Sequence, residues 1–191
     1  MEKFNGLVVS SPRKFESYAS YEMKRFLDEK LNLTEVAVEP ILYLTGLSIA
    51  SFSESSYYVM KQLKNILKNQ MDNFTYVLKI VPIDFKLETE EEEIRNVAKI
   101  FEKDLNENDK WRITLRRRRS PLTRDELLEI AADEINIGIV DLEDPDKYLR
   151  IEVMKDITYM SFTTISEISV VKYKRRQDRL EELPSLYAEN L

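Results

Sequence analysis

The sequence predicts an α+β protein, and three observations carry that prediction. Over the first 81 residues, apolar runs of period two and stretches of helical spacing alternate in the order β-α-β-β-α-β. A second series of strands and helices follows Pro82. The 191 residues, 43% of them apolar and 10% aromatic, can supply cores for one medium domain or two small ones.

Taken in order, Phe4 to Ser10 reads as a strand. Lys14 to Leu31 reads as a helix, since Phe15, Ala19, Met23 and Phe26/Leu27 recur at helical spacing and Pro12 lies just ahead of it, where proline is tolerated. Glu35 to Glu39 alternates, Pro40 breaks the run, and Ile41 to Ala50 is a more continuous apolar strand. Ser53 offers an N-cap to a helix over about Glu54 to Gln70, with Tyr58, Val59, Leu63, Ile66 and Leu67 on one side. Phe74 to Val81 returns to strand. This order is the ferredoxin-like arrangement, one sheet with two helices on a face, and it is expected to occupy residues 1–84.

A second α/β domain is expected over residues 85–174. The acidic run Glu90 to Glu93 opens a helix that continues through Val97, Ile100, Phe101 and Leu105, because carboxylates suit a helix N-terminus. Lys110 to Arg118 alternates as a strand, with Trp111, Ile113 and Leu115 facing one way and Arg112, Thr114 and Arg116 the other. Thr123-Arg124-Asp125-Glu126 fits a capping box, and the helix it opens ends before Gly138. Asp144-Pro145-Asp146 marks a turn, with Asp141, Pro145 and Asp146 in structural roles. Strands follow at Tyr148 to Met154 and Ile157 to Thr163, and a last one at Ile168 to Tyr173. Residues 175–191 form a charged tail interrupted by Pro184, expected to be loose or ordered by a partner.

The chain has no cysteine and no histidine, so it lacks a disulfide, a zinc site of usual make-up, a thiol nucleophile and an imidazole acid or base. Gly6, Gly46 and Gly138 stand alone, which leaves no glycine-rich loop to cradle a nucleotide or an acyl carrier. No cofactor and no small-molecule substrate are therefore expected. No apolar run approaches the roughly 20 residues that cross a bilayer, which points to a cytoplasmic protein without a membrane partner. The Glu90 to Glu93 run reads first as a solvated helix start, and second as a carboxylate cluster for a divalent ion.

The net charge of −6 hides two basic islands. Up to Phe85, ten Lys/Arg oppose ten Asp/Glu, so the whole deficit, 19 against 25, lies between Lys86 and Leu191. Within that acidic half, Trp111 to Arg124 holds six arginines and no acid, and Lys172 to Arg179 holds five basic residues against Asp178 alone. A polyanion responds to the local field rather than to the mean.

From Lys110 to Phe162 the residues resemble a THUMP domain, an RNA-binding α+β module of tRNA-modifying proteins. Four stretches carry the resemblance: Leu115-Arg116-Arg117-Arg118-Arg119, Thr123 to Glu126, Val140-Asp141-Leu142-Glu143-Asp144-Pro145-Asp146, and Leu149-Arg150-Ile151-Glu152-Val153. Upstream, Leu78-Lys79-Ile80-Val81-Pro82-Ile83 is similar to a basic-apolar-proline motif preceding the domain in one subgroup, the archaeal-type adaptors of tRNA cytidine acetylation. Lys79 stands where that subgroup has arginine, and Glu143-Asp144 where Thr-Asn is commoner.

The resemblance implies a non-catalytic tRNA-binding adaptor that presents its RNA to a separate RNA cytidine acetyltransferase. The residues themselves suggest a patch of Lys79, Arg112, Arg116, Arg117, Arg118, Arg119 and Arg124, joined by Lys172, Lys174 and Arg175 if the last strand returns beside it. Two other readings stay open. One is a metal-dependent hydrolase or nuclease using the acidic helix; the other is an interaction module whose basic islands dock an acidic protein. For the arginines, the competing structural role is pairing with the protein's own acids, chiefly Glu90 to Glu93.

Overall fold

The computed structural model describes residues 1–68 and 74–175, so the expected helix end at Gln70 and the expectations for the tail beyond Arg175 lie outside the described residues. The chain is α+β, as its pattern predicts. It forms two compact units: Val8–Ser53 and Tyr58–Val81 with the chain from Glu167 onward make the first, and Met1–Leu7, Glu54–Tyr57 and Pro82–Ser166 make the second.

The first unit is built from β1 (Glu2–Ser10), α1 (Glu16–Glu29), β2 (Ala37–Pro40), β3 (Leu47–Ser51), α2 (Ser56–Leu67) and β4 (Lys79–Glu88), in the sheet order β2-β3-β1-β4. That is the ferredoxin-like strand order. β1 and β4 continue into the second unit with Glu2–Leu7 and Pro82–Glu88. α1 buries Ala19, Met23, Phe26 and Leu27, and α2 buries Val59, Met60, Leu63 and Leu67. Both sets follow the helical period, so each helix turns one stripe inward.

Three expectations for this unit are corrected. Ile41 to Ala50 is not one strand: residues 41–46 turn, and β3 starts at Leu47. Gly46 takes a left-handed φ of 80°, its carbonyl accepts from the Ser11 amide at 2.9 Å, and its own amide donates to the Glu16 carboxylate at 2.5 Å. A side chain there would meet the Ser11 carbonyl oxygen at 3.1 Å. α2 begins at Ser56 rather than directly after Ser53, whose hydroxyl donates to Glu35 at 2.7 Å.

The strand expected over Phe74 to Val81 instead runs Lys79–Glu88, straight through Pro82. Pro82 is tolerated because one flank of β4 has a gap there. β9 (Ile168–Ser169) pairs only with Lys79 and Ile80, and β8 (Ile157–Thr163) starts pairing at Phe85. Proline, which brings no amide, fits such a gap. Residues 74–77 are held another way: the Glu22 carboxylate accepts from the amides of Thr75, Tyr76 and Val77, the last two at 2.9 Å.

The second unit contains α3 (Glu91–Lys103), β5 (Lys110–Arg118), α4 (Arg124–Ala132), β6 (Ile139–Val140), β7 (Lys147–Met154) and β8. Its sheet runs β1-β4-β8-β7-β5-β6, with β5 parallel to β7 and to β6 and the β4-β8 and β8-β7 pairs antiparallel. One core joins Ile94, Val97, Ala98 and Phe101 of α3 and Leu127, Ile130 and Ala131 of α4 to Trp111, Leu115, Leu149, Ile151, Val153 and Met160 of the strands. Trp111 sits in that core, edge-on to Phe101 at 6.1 Å, and its indole N–H donates to the Ile137 carbonyl at 3.0 Å.

The Asp141 to Asp146 turn is fixed by its own side chains. Asp141 Oδ1 accepts from the amides of Glu143 (3.0 Å) and Asp144 (2.9 Å), and Asp146 accepts from the Lys110 amide at 3.2 Å. The amides of Asp144 and Glu143, with the Lys110 ammonium at 2.9 Å, hold the Asp141 carboxyl down at about 2. The expected last strand, Ile168 to Tyr173, is cut short: Ile168 and Ser169 pair with β4, and residues 170–175 are helical. The reason is that β4 offers no further partner. The Val170 amide reaches the Leu78 carbonyl at 3.0 Å, and the described residues just before Lys79, 74–78, form no strand to continue the ladder.

Candidate nucleic-acid interface

β7 is antiparallel to β8 and parallel to β5, while β4 is antiparallel to β8, so the C-terminal ends of β4, β5 and β7 reach one edge of the second unit. α3 and α4 begin at that edge, and helix N-termini attract anions. Both ends already face carboxylates of this chain, however. Glu91, Glu92 and Glu93 fill the first turn of α3. At α4 the expected capping box forms: Thr123 Oγ1 accepts from the Glu126 amide at 3.3 Å and the Glu126 carboxylate accepts from the Thr123 amide at 2.7 Å. The Thr123 backbone donor holds the Glu126 carboxyl below its usual range. What remains for a polyanion at this edge is the arginine side chains.

Those side chains divide into three groups. Arg118 is tied to an acid: its guanidinium lies 2.7 Å from Glu152, which is 2% exposed and also binds the buried Arg150. Arg112, Arg117 and Arg124 donate to backbone carbonyls, namely Leu142 (2.5 Å), Ser120 (2.8 Å) and Leu115 (3.1 Å), with Arg117 also on Leu122. A neutral acceptor anchors a guanidinium without cancelling its charge, and five donors leave some to spare. Arg116 and Arg119 are exposed and have no side-chain partner among the described residues. Arg119 takes a left-handed φ of 53°, turning the chain out of β5 towards Ser120.

The Glu90 to Glu93 run does not neutralise the arginines of residues 112–124. Glu91 pairs with Arg95 at 2.8 Å, on the same helix, and Glu93 pairs with the amino group of Met1. Among the described residues, no group of three carboxylates is placed to hold a metal ion. The edge is nonetheless mixed in sign, because Glu88, Glu90 and Asp156 border a shallow depression beside Pro121. The arginines of this edge lie on its β5 side.

The remaining predicted cations belong to the first unit. Lys79 is paired with Glu167 at 3.0 Å, and Lys174 donates to the Phe74 carbonyl. Lys172 and Arg175 are exposed, without a side-chain partner among the described residues, on the helical stretch that replaces the expected strand.

Two features escaped the sequence reading. Lys155 lies at the arginine edge, its amide donating to the Arg118 carbonyl at 2.9 Å. In the first unit, Phe15, Tyr18 and Tyr76 cluster with ring centroids 5.2 to 5.9 Å apart, and Tyr21 stands 69% exposed. The signal for the second was present: Tyr18, Tyr21 and Arg25 form a second stripe on α1, besides the one that α1 buries.

Residues 88–163 match the model of the THUMP domain. That stretch lies within the second unit, which thus carries a THUMP domain. No curated protein sequence matches the chain. Solved structures do. PH1313 from Pyrococcus horikoshii is 20% identical over 86% of this chain and 55% of its own, with a TM-score of 0.59. A 4-thiouridine synthetase, solved in complex with RNA and bound ATP, is 13% identical over 87% of this chain and 42% of its own, with a TM-score of 0.53. TrmN from Thermus thermophilus is 12% identical over 83% of this chain and 45% of its own, with a TM-score of 0.52. At these identities the likeness is one of fold, and this chain spans about half the length of those it matches.

Proposed function

We propose that this chain is a tRNA-binding adaptor that presents tRNA to a separate RNA cytidine acetyltransferase for N4-acetylcytidine formation. The observation that carries the reading is the charge state of the β5 edge. In an acidic chain, Arg116 and Arg119 stand exposed next to Arg117, with no side-chain partner among the described residues, on a domain of the THUMP class. The RNA bound in the 4-thiouridine synthetase complex supports the same ligand class. Guanidinium groups suit it physically, since each fork can bind two phosphate oxygens or stack on a base. The adaptor role rests on the resemblance of Leu78 to Ile83 and Val140 to Asp146 to the acetylation subgroup. An exposed apolar stretch, Ile139 and Val140 of the edge strand β6 with Leu142 just beyond it, offers a partner subunit somewhere to dock.

The experiment has two readouts. A gel shift with total tRNA compares the native chain with Arg116→Glu/Arg119→Glu, which is expected to bind at least tenfold more weakly, since each charge-assisted contact contributes about 1.5–3 kcal/mol. Unchanged affinity would remove the site. Nucleoside mass spectrometry of tRNA from cells lacking the chain is expected to show no N4-acetylcytidine, and its persistence would remove the adaptor role while leaving RNA binding intact.

A further inference from the structure

α1 carries more aromatic surface than its packing uses. Its core stripe is Ala19, Met23, Phe26 and Leu27, yet Tyr18 and Tyr21 face solvent at 59% and 69% exposure. Beside them lies a cleft of about 290 Å³ lined by Tyr18, Tyr21, Arg25, Phe26, Lys30 and Tyr76, together with Glu22, Glu29 and Thr75. The wall formed by Tyr76 is pre-set, because Glu22 fixes the backbone of residues 75–77 through three amides and Phe15 stacks on the Tyr76 ring at an interplanar angle of 12°. Phe26 closes the base against the buried Phe74 at 4.8 Å.

The charges around these rings favour an anion-bearing ligand. Both Glu22 oxygens are engaged by backbone donors, and Glu29 is paired with Arg25 at 3.4 Å in an exposed pair of little strength. Lys30 has no side-chain partner among the described residues, nor do Arg13 and Lys14, which immediately precede Phe15. Flat π-faces flanked by cations, with no deep enclosure, are the features that hold unstacked bases irrespective of sequence. A base inside a duplex cannot offer its face to such a wall; an unpaired one can.

We propose that this cleft is a stacking site for an unpaired RNA nucleotide, whose base lies against Tyr18, Tyr21 and Tyr76 while Arg25 or Lys30 reaches its phosphate. The inference rests on the RNA-binding reading above but uses different residues, so the two can fail separately. The full chain is titrated with a single-stranded RNA hexamer containing 2-aminopurine, whose fluorescence falls on stacking, and in parallel with tRNA. The native chain is expected to quench the probe. Tyr18→Ala and Tyr21→Ala, both at exposed positions, are expected to weaken hexamer binding by about 5- to 150-fold, the range for losing one base stack, while Tyr21→Phe retains it.

Quenching and affinity unchanged in both alanine variants, with tRNA still bound, would overturn the stacking site and leave the arginine edge standing. A native chain that binds tRNA without quenching the hexamer does the same. Tyrosine-dependent quenching together with tRNA binding insensitive to Arg116→Glu/Arg119→Glu would support the cleft and remove the arginine edge. Binding to neither RNA would overturn both.

Discussion

Glu152 and Arg116 face each other in the parallel pairing of β7 with β5, yet Glu152 binds Arg118 and Arg150 instead. That choice sorts the arginines into structural and available ones. With Arg150 at 1% and Glu152 at 2% exposure, removing the carboxylate leaves a buried cation short of its partner, so Glu152→Ala is expected to lower unfolding free energy by about 3 kcal/mol. Chemical denaturation checks it; a loss below about 1 kcal/mol would mean that the other contacts of Arg150 suffice. Reversing Arg118 would set a glutamate beside Glu152 and confound any binding assay with misfolding, whereas Arg116 and Arg119 carry no such structural duty. Asp84 provides a second test. Its carboxyl is half-buried and raised above its usual range by desolvation, although Ser56 and the Phe162 amide, at 2.9 Å, donate to it. The sign follows: the native state holds this proton more tightly than the unfolded chain, so stability falls as pH rises from the unfolded value, about 3.9, through the raised one. Asp84→Asn is expected to flatten the stability–pH curve in that window, and an unchanged curve would place the titration elsewhere.

Elements announced by local chemistry were legible in the sequence, and those set by tertiary neighbours were not. α4 needed only Thr123, Glu126 and a following apolar period, and its capping box stands as read. β5 needed only alternation over Lys110 to Arg118. By contrast, Ile168 to Tyr173 has the β-branched character of a strand, but whether it pairs depends on how far β4 extends, which no local signal shows. Pro82 reads as a break because its neighbours are invisible in one dimension; in the sheet it falls between two partners. For the candidate site, the clustering of arginines was legible, whereas their division into paired and unpaired depends on Glu152 arriving from β7. The same logic makes α4 the element whose start is easiest to weaken. Thr123→Ala removes the acceptor for the Glu126 amide and should cost about 1 kcal/mol, read as a lower denaturation midpoint with an unchanged slope. Because Arg124 and the 119–123 loop hang on that start, tRNA affinity should fall with it, and a stability loss without any binding loss would show that the loop is held by Arg117 instead.

A chain of net charge −6 that binds a polyanion must do so against its own long-range field. The two effects have different reach. Repulsion from the distributed carboxylates is felt over about 30 Å at 0.01 M salt but only about 8 Å at 0.15 M, whereas guanidinium–phosphate contacts act at hydrogen-bond distance. Raising salt thus relieves repulsion and weakens contacts at once, and the salt dependence should be shallower than contact number alone implies. Each phosphate contact contributes about −0.7 to −0.9 to the slope of log affinity against log salt. Arg116, Arg117 and Arg119 as the exposed contacts give a slope of roughly −2 to −3, less any relieved repulsion. Arg116→Glu/Arg119→Glu should bring that slope up by about 2, since each lost contact removes about one counterion. Filter binding of tRNA between 50 and 300 mM salt measures both lines. A native slope steeper than about −5 would mean that cations beyond these three carry the RNA, and parallel lines for native and variant chains would show that Arg116 and Arg119 touch no phosphate.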